Sequence, residues 1–287
     1  MKSFRAYLEL VRPHQWVKNI FVLIPLVFAR RFFDFDLVLL SLAAFAVFTL
    51  ASCSTYVLND LMDYEKDRIH PDKKKRPIPS GRVTTVQAFF LWFALLLLTV
   101  VAASFMSPAF LIVIAGYVLM TVAYSLFFKR ILFLDVILIA LGFVFRVLGG
   151  GIAIGVVVSD WMIVLVFLFT LFLAISKRRQ EIRNLEKKSK KTREVLTQYT
   201  IDLIDQLNAI IVPIVITSYI FYTFSERQNN SFFIATIPLI VYCFFRYLYL
   251  LKNTRFGESS DDYLEDWKLL IVGAVWFALA MAGLGVT

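Results

Sequence analysis

The chain has 287 residues, 60% of them hydrophobic and 18% charged, with a formal net charge of +9. An apolar share above the roughly 45–50% of soluble domains excludes an ordinary soluble enzyme and predicts a polytopic membrane protein. The positive charge is read as loop topology and anionic ligands, and nucleic acid is not expected as a partner.

The N-terminal MKSFRAYLELVRPHQWVKN is basic, and the apolar run after it, 16–33, is interrupted by Pro25 and lacks a small-residue cleavage site. It is read as a retained first helix. Eight more spanning helices are predicted at 37–60, 86–105, 109–128, 131–155, 160–177, 206–225, 231–251 and 267–286, each near the roughly 20 residues a bilayer requires. They leave no length for a soluble domain, so 1–287 is read as one integral membrane domain. Lys and Arg crowd the segments 61–84 and 177–194 and recur at Lys129, Arg130, Lys252 and Arg255. The loops near Ser107, Val158 and Asn229 nearly lack them, with Arg30 and Arg31 as the exception. This bias predicts a plasma (inner) membrane protein with its N-terminus in the cytoplasm and, for nine helices, its C-terminus outside. Cys53 and Cys243 sit in separate apolar runs and are read as packing residues.

The second run ends in NDLMDYEKD, Asn59 to Asp67. Spacings of three and four put Asp60, Asp63 and Asp67 on one helix face. Like charges so placed repel, and a membrane helix end is a costly site for them. A divalent cation carrying a diphosphate relieves both problems, so Asp60, Asp63 and Asp67, helped by Asn59, are the candidate catalytic and metal-binding residues, with Mg2+ expected from the all-oxygen ligand set. Pro71, Pro77 and Pro79 then fix an irregular loop in which Lys73 and Arg76 are placed to contact further phosphate oxygens. A solvated loop of mixed charge is the plainer alternative. Arg146 lies inside an apolar span, a functional hypothesis by default, with an ion pair to Asp135 or Glu181 as its structural alternative. Gly149, Gly150 and Gly151 follow it and are read as close helix packing. Lys18 either snorkels to the interface or faces a site.

Asn59-Asp60, Asp63 and Asp67, followed by Arg76-Pro77 and Ser80-Gly81, match the NDxxDxxxD signature and sequel of the UbiA superfamily of intramembrane prenyltransferases, which the chain resembles over nearly its whole length. The resemblance implies an all-α, nine-transmembrane-helix bundle around a central cavity open sideways to lipid, with diphosphate held by magnesium. Tyr124 and Lys129 are similar to a Tyr/Lys pair after that family's fourth helix, which implies Lys129 on phosphate; interfacial anchoring is the alternative. The chain departs from the family's second acidic motif. Ala174 to Asn184 reads AISKRRQEIRN, with Lys177, Arg178 and Arg179 and with Glu181 as its acid; Asp202 and Asp205 follow. That stretch, RPHQWVKN with Lys18 and Asn19, the segment Leu134 to Ala153, and more weakly Tyr199-Thr200 resemble the branch that moves phosphoribose onto polyprenyl phosphate.

Charge counting points the same way. Phosphoribosyl diphosphate carries a second anionic group and a lipid phosphate acceptor a third, so more cationic donors are needed than for prenyl transfer. Lys129, Arg146, Lys177, Arg178 and Arg179 are the candidates, with Glu181 beside them. An ordinary i,i+4 pair of Lys177 with Glu181 is the alternative, and the run from Lys187 to Arg193 is read as solvated charge. The expected reaction is attack of a polyprenyl phosphate on the anomeric carbon of phosphoribosyl diphosphate with loss of diphosphate. The partners are thus phosphoribosyl diphosphate, a polyprenyl phosphate and the bilayer, with a homo-oligomer left open. The alternatives are prenyl transfer to an aromatic or other polar acceptor and, ranked below it, a transporter. The latter is disfavoured because the acids stand at a helix end and inverted repeats are not visible.

Overall fold

The computed structural model describes residues 2–70, 73–188, 194–226, 230–253 and 266–286. Among these the regular elements are all helical. Eight helices are long and apolar enough to cross a membrane: Phe35–Met62, Thr85–Ser104, Pro108–Leu126, Leu134–Ala153, Asp160–Arg183, Ile201–Ser225, Ser231–Asn253 and Trp267–Gly285. The first expected span, 16–33, takes another form. A 3-10 segment runs over Pro13–Leu23 and passes into a five-residue helix, Ile24–Phe28. Pro25, which has no N–H to donate, stands where the 3-10 segment gives way to the first turn of that helix, the position at which a proline costs least.

The chain forms two compact units, Met1–Lys129 with Leu141–Val158, and Arg130–Ala140 with Ser159–Thr287. In the first, α1 (Lys2–Val11) is a short amphipathic helix, α2 is Ile24–Phe28 and the hub is α3 (Phe35–Met62). The Asp34 side chain caps α3 at Leu37 N–H. Helix α4 (Tyr64–Ile69) follows almost without a break. A reciprocal Thr84/Gln87 capping box starts α5 (Thr85–Ser104), and Ser107 caps α6 (Pro108–Leu126). The core joins Val22, Val47, Phe48, Phe110, Ile114 and Tyr117, with Phe48 edge-on to both Phe110 and Tyr117. Helix α7 (Leu134–Ala153) begins in the second unit and ends in the first. A Cβ on Gly150 would lie 2.0 Å from the Val22 carbonyl oxygen, so α7 touches the 3-10 backbone only because this residue is glycine. The close packing expected of the glycine run is realised there.

In the second unit α8 (Asp160–Lys188) packs on α9 (Ile201–Glu226), and α10 (Ser231–Asn253) on α11 (Trp267–Val286). Phe172, Ile175, Ile204, Val212, Val215 and Phe244 centre its core. Helix α8 runs well past the expected end at 177, because SKRRQEIRNLEKK is built from good helix formers. Helix α9 starts at Ile201, which moves Asp202 and Asp205 from a loop to a helix start. The exposed apolar side chains of α5, α6 and α11, such as Phe90, Ile112 and Phe277, are what lipid solvates in an integral membrane protein.

Candidate functional site

Hydrogen bonds from Asp63 N–H to Asn59 and from Asp67 N–H to Asp63 carry helical geometry through the α3–α4 junction. The three aspartates therefore keep to one face, as their spacing predicts. Asp60 and Asp67 are each 2% exposed, and every carboxylate of the trio meets a cation. Arg12 Nη2 and Arg76 Nη1 both donate to Asp60 Oδ1. The same Arg76 nitrogen donates to Asp67 Oδ2 at 2.6 Å, and Lys73 Nζ stands 3.5 Å from Asp67 Oδ1. Lys129 Nζ chelates Asp63 at 2.8 and 2.9 Å and also donates to Asn59 Oδ1 at 3.3 Å. Five of the expected site residues and both lysine candidates flanking the motif are thus brought together: Asn59, Asp60, Asp63, Asp67, Arg76, Lys73 and Lys129.

Two elements aim these cations. The loop carrying Lys73 and Arg76 is tied to α1 by Arg82, which forks onto Glu9 at 3.0 and 2.6 Å, reaches the Lys75 carbonyl at 2.7 Å and donates to Ser80 Oγ. The hydrogen bond from Arg82 holds the Glu9 carboxyl below its ordinary value. Arg12 ends α1 with left-handed backbone, φ 51°, immediately before Pro13, and its guanidinium lies 5.4 Å from the Tyr56 ring centre. Sequence reasoning passed over Arg12; its position at the head of RPHQWVKN was the available signal.

Oxygen-only donors suit a hard divalent ion. Arg76 Nη1, bridging Asp60 and Asp67, marks a position where a cation is shared between two of them. The donor set therefore fits magnesium. Among the described residues no three acidic, His or Cys side chains converge into a ready metal cluster, since Asp63 is turned to Lys129.

Arg146 builds a second, neutral-partnered network in the same unit. Its Nε donates to Asn19 Oδ1 at 2.7 Å, Nη1 to the Gly142 carbonyl at 2.7 Å, and Nη2 to Tyr117 OH at 2.9 Å and Ser52 Oγ at 3.3 Å. Asn19 in turn donates to Thr49. Arg146 and Asn19 thereby fasten the 3-10 segment that carries Lys18. Tyr124 is half-buried on α6.

In the second unit, Asp135 and Glu181, offered above as partners for Arg146, both pair with Arg178: Nε stands 3.0 Å from Asp135 Oδ2 and Nη1 bonds Glu181. Tyr199 donates to Asp135 Oδ1 at 2.7 Å and accepts from the N–H of Phe133, itself left-handed at φ 66°. Burial and then the bond to Asp135 push the Tyr199 phenol well above its ordinary value. Arg179 forks onto Asp205 and also bonds the Leu251 carbonyl at 2.9 Å. Lys177 is exposed and makes no ion pair or hydrogen bond among the described residues, so the Lys177–Glu181 pair is replaced by Arg178–Glu181. Most of the run from Lys187 to Arg193 lies outside the described residues.

Eight apolar helices among the described residues define an integral membrane protein, with a cation-paired aspartate trio at the end of one of them. The UbiA prenyltransferase family model matches residues 20–264, and the chain belongs to that family. It is 29% identical over 283 residues to a decaprenyl-phosphate phosphoribosyltransferase of Mycolicibacterium smegmatis, covering 94% of this chain and 89% of that one. It is also 29% identical over 286 residues to the protein of the same name from Corynebacterium glutamicum, covering 96% and 86%. Among solved structures, a UbiA homologue from Archaeoglobus fulgidus bound to GPP and Mg2+ superposes with a TM-score of 0.70 at 19% identity, over 98% of this chain and 99% of that one.

Proposed function

We propose that this chain is a magnesium-dependent phosphoribosyltransferase that moves 5-phosphoribose from phosphoribosyl diphosphate to a polyprenyl phosphate. The observation that carries this reading is the basic run on α8. Where the prenyltransferases have a second acidic motif, this chain has an exposed Lys177 followed by two arginines. Arg178 and Arg179 are held by carboxylates, and the exposed Lys177 beside them is a donor for a further phosphate rather than a ligand of a second metal.

In the proposed reaction a phosphate oxygen of the lipid forms a bond to the anomeric carbon. The bond from that carbon to the diphosphate oxygen breaks, and its electron pair leaves with diphosphate. Asp60, Asp63 and Asp67, with Asn59, would hold Mg2+, which when bound neutralises charge on the leaving group. Lys73, Arg76 and Lys129 contribute charged donors to the same diphosphate, whose negative charge grows as the sugar becomes oxocarbenium-like. The nucleophile is already an anion, so no general base is required. Lys18 and Lys177 serve the remaining anionic groups, Tyr124 stands with the donor site, and Arg146 holds Asn19 and the 3-10 segment while keeping its own charge uncompensated by the neutral partners it has. Arg178 and Glu181 orient the α8 end.

The same reading takes residues 1–287 as one transferase domain with nine crossings. Eleven residues of 3-10 helix at about 2.0 Å and five of α-helix at about 1.5 Å reach about 30 Å, the thickness of the hydrocarbon core. The loop charges then place the N-terminus in the cytoplasm and the C-terminus outside, in the plasma membrane. A homo-oligomer is compatible with this.

Prenyl transfer to an aromatic or other polar acceptor is the second reading, favoured by the NDxxDxxxD trio, which both activities use. A donor-choice assay separates them. The purified chain in detergent receives labelled phosphoribosyl diphosphate and a prenyl diphosphate, with and without polyprenyl phosphate. Diphosphate release from the sugar donor only when lipid phosphate is present is the expected result. Consumption of the prenyl diphosphate instead overturns the assignment.

A further inference from the structure

The aspartate trio is not an open anionic bowl. Asp60 accepts from Arg12 and Arg76, Asp67 holds Arg76 and Lys73, and Asp63 holds Lys129. Three carboxylates meet four cations, a formal surplus of +1. Magnesium arriving alone would raise that surplus to +3 (+1 plus the ion's 2) and would strip Arg and Lys from two almost fully buried carboxylates. The displaced cations would then face one another without acceptors. Diphosphate arriving alone would set its own negative charge beside three carboxylates, to which Arg12, Lys73, Arg76 and Lys129 are already turned. Arriving together, the two relieve both conflicts, because the carboxylates turn to the metal and the freed cations turn to phosphate oxygens. The guanidinium fork matches phosphate as well as it matches carboxylate.

We propose that Arg12, Lys73, Arg76 and Lys129 are exchangeable counter-ions of the trio, so that magnesium and diphosphate bind this chain as one unit and each binds poorly alone. The inference rests on assigning the trio to metal-bound diphosphate, but not on which diphosphate donor the enzyme uses. It adds Arg12 to the substrate-binding set. Exchange requires groups that can move, and the accessibility fits: the side chains of Arg12, Arg76 and Lys73 are 23, 31 and 32% exposed, and Lys129, 10% exposed, pairs with Asp63, which is itself 19% exposed. Those of Arg178 and Arg179, which face carboxylates in the second unit, are 4 and 9% exposed. Tyr56 gives Arg12 an aromatic face that it keeps whether its guanidinium bonds Asp60 or phosphate.

Calorimetric titration of the full-length chain in detergent tests this with three ligands: magnesium chloride, sodium diphosphate in EDTA, and preformed magnesium diphosphate. In the wild type the preformed complex is expected to bind at least about fiftyfold more tightly than either component. Arg12→Gln is expected to weaken magnesium diphosphate about tenfold and to tighten magnesium alone, because one competing cation is gone. Opposite signs for the two ligands are not produced by a residue that merely props the fold. If Arg12→Gln does not fold, Lys129→Gln and the wild-type titrations decide the matter. Magnesium alone binding the wild type as tightly as its diphosphate, or Arg12→Gln weakening both ligands alike, overturns the inference. Normal phosphoribosyl turnover beside independent metal binding would sink the coupling and leave the function standing. Coupled binding without phosphoribosyl turnover would do the reverse.

Discussion

At the end of α3, three aspartates are held by Arg12, Lys73, Arg76 and Lys129; in the second unit, Asp135, Glu181 and Asp205 are held by Arg178, Arg179 and Lys252. The residue types are alike and the mechanics differ. The first set takes its cations from a strained helix end, a proline-bounded loop and the segment after α6, all partly open to solvent. In the second set both arginines ride on one regular helix and are nearly inaccessible; Arg179 also bonds the Leu251 carbonyl, and Asp135, which holds Arg178, is itself held by Tyr199. An ion pair whose cations are partly exposed can trade partners. A pair locked on a helix and cut off from water is part of the scaffold, whereas the exposed Lys177 on that helix is available to an outside anion.

That contrast is open to attack by substitution. Removing Arg178 with Arg178→Leu leaves Asp135 buried without its cation and is expected to destabilise the protein by about 3–5 kcal/mol, read as a fall in thermal unfolding temperature in detergent. Lys177→Ala is expected to leave that temperature unchanged and to raise KM for phosphoribosyl diphosphate or the lipid. A stability loss from Lys177→Ala equal to that of Arg178→Leu would erase the distinction. In the first set, Asp67→Ala or Asp63→Ala is expected to lower kcat/KM by roughly a hundredfold or more while the chain stays folded, measured as labelled diphosphate release. Stripping magnesium with EDTA is expected to do the same to the wild type, and restoring the ion to reverse it. A smaller effect belongs to Tyr199→Phe, which strands Asp135 Oδ1 and the Phe133 N–H and is expected to cost about 1–3 kcal/mol of stability with little change in KM.

The smallest effect concerns the exposed clamp between Arg82 and Glu9 that aims the first set. Arg82 lowers the Glu9 carboxyl below its ordinary 4.5. A depressed acid stabilises the fold above its unfolded value and loses that contribution as pH falls through the lowered one. Stability should therefore decline below pH 4.5 by less than about 1 kcal/mol from this pair, and Glu9→Gln should flatten that part of the unfolding-temperature profile. An unchanged acid limb in Glu9→Gln would show that the clamp contributes nothing.

Much of the site was legible along the chain because its spacing is local. Asn59, Asp60, Asp63 and Asp67 fall within nine residues, and helical periodicity alone puts them on one face. Lys73 and Arg76 follow in the adjoining loop. Arg12 and Lys129 were of another kind, one missed and one found through resemblance, since they reach the trio across 48 and 66 residues and no local rule links them. The same limit explains Arg146. Its position within an apolar run announced a role, with an ion pair as the structural alternative, and the structure gives it four neutral oxygens, three from distant residues and one from its own helix turn at Gly142. Arg178 and Arg179 read as free donors in sequence because their carboxylates, Asp135 and Asp205, lie on other helices.

The amino-acid order by itself determined the membrane class, the eight long apolar helices and the common face of the three aspartates, because each depends on hydrophobic run length or on a period of 3.6 residues. Only the tertiary structure decided that the segment before α3 is a 3-10 stretch wedged against Gly150, and which cations are committed and which can be released. Those outcomes turn on contacts between residues far apart in the chain, where burial and the number of competing partners set the energy, and neither quantity is written in local sequence.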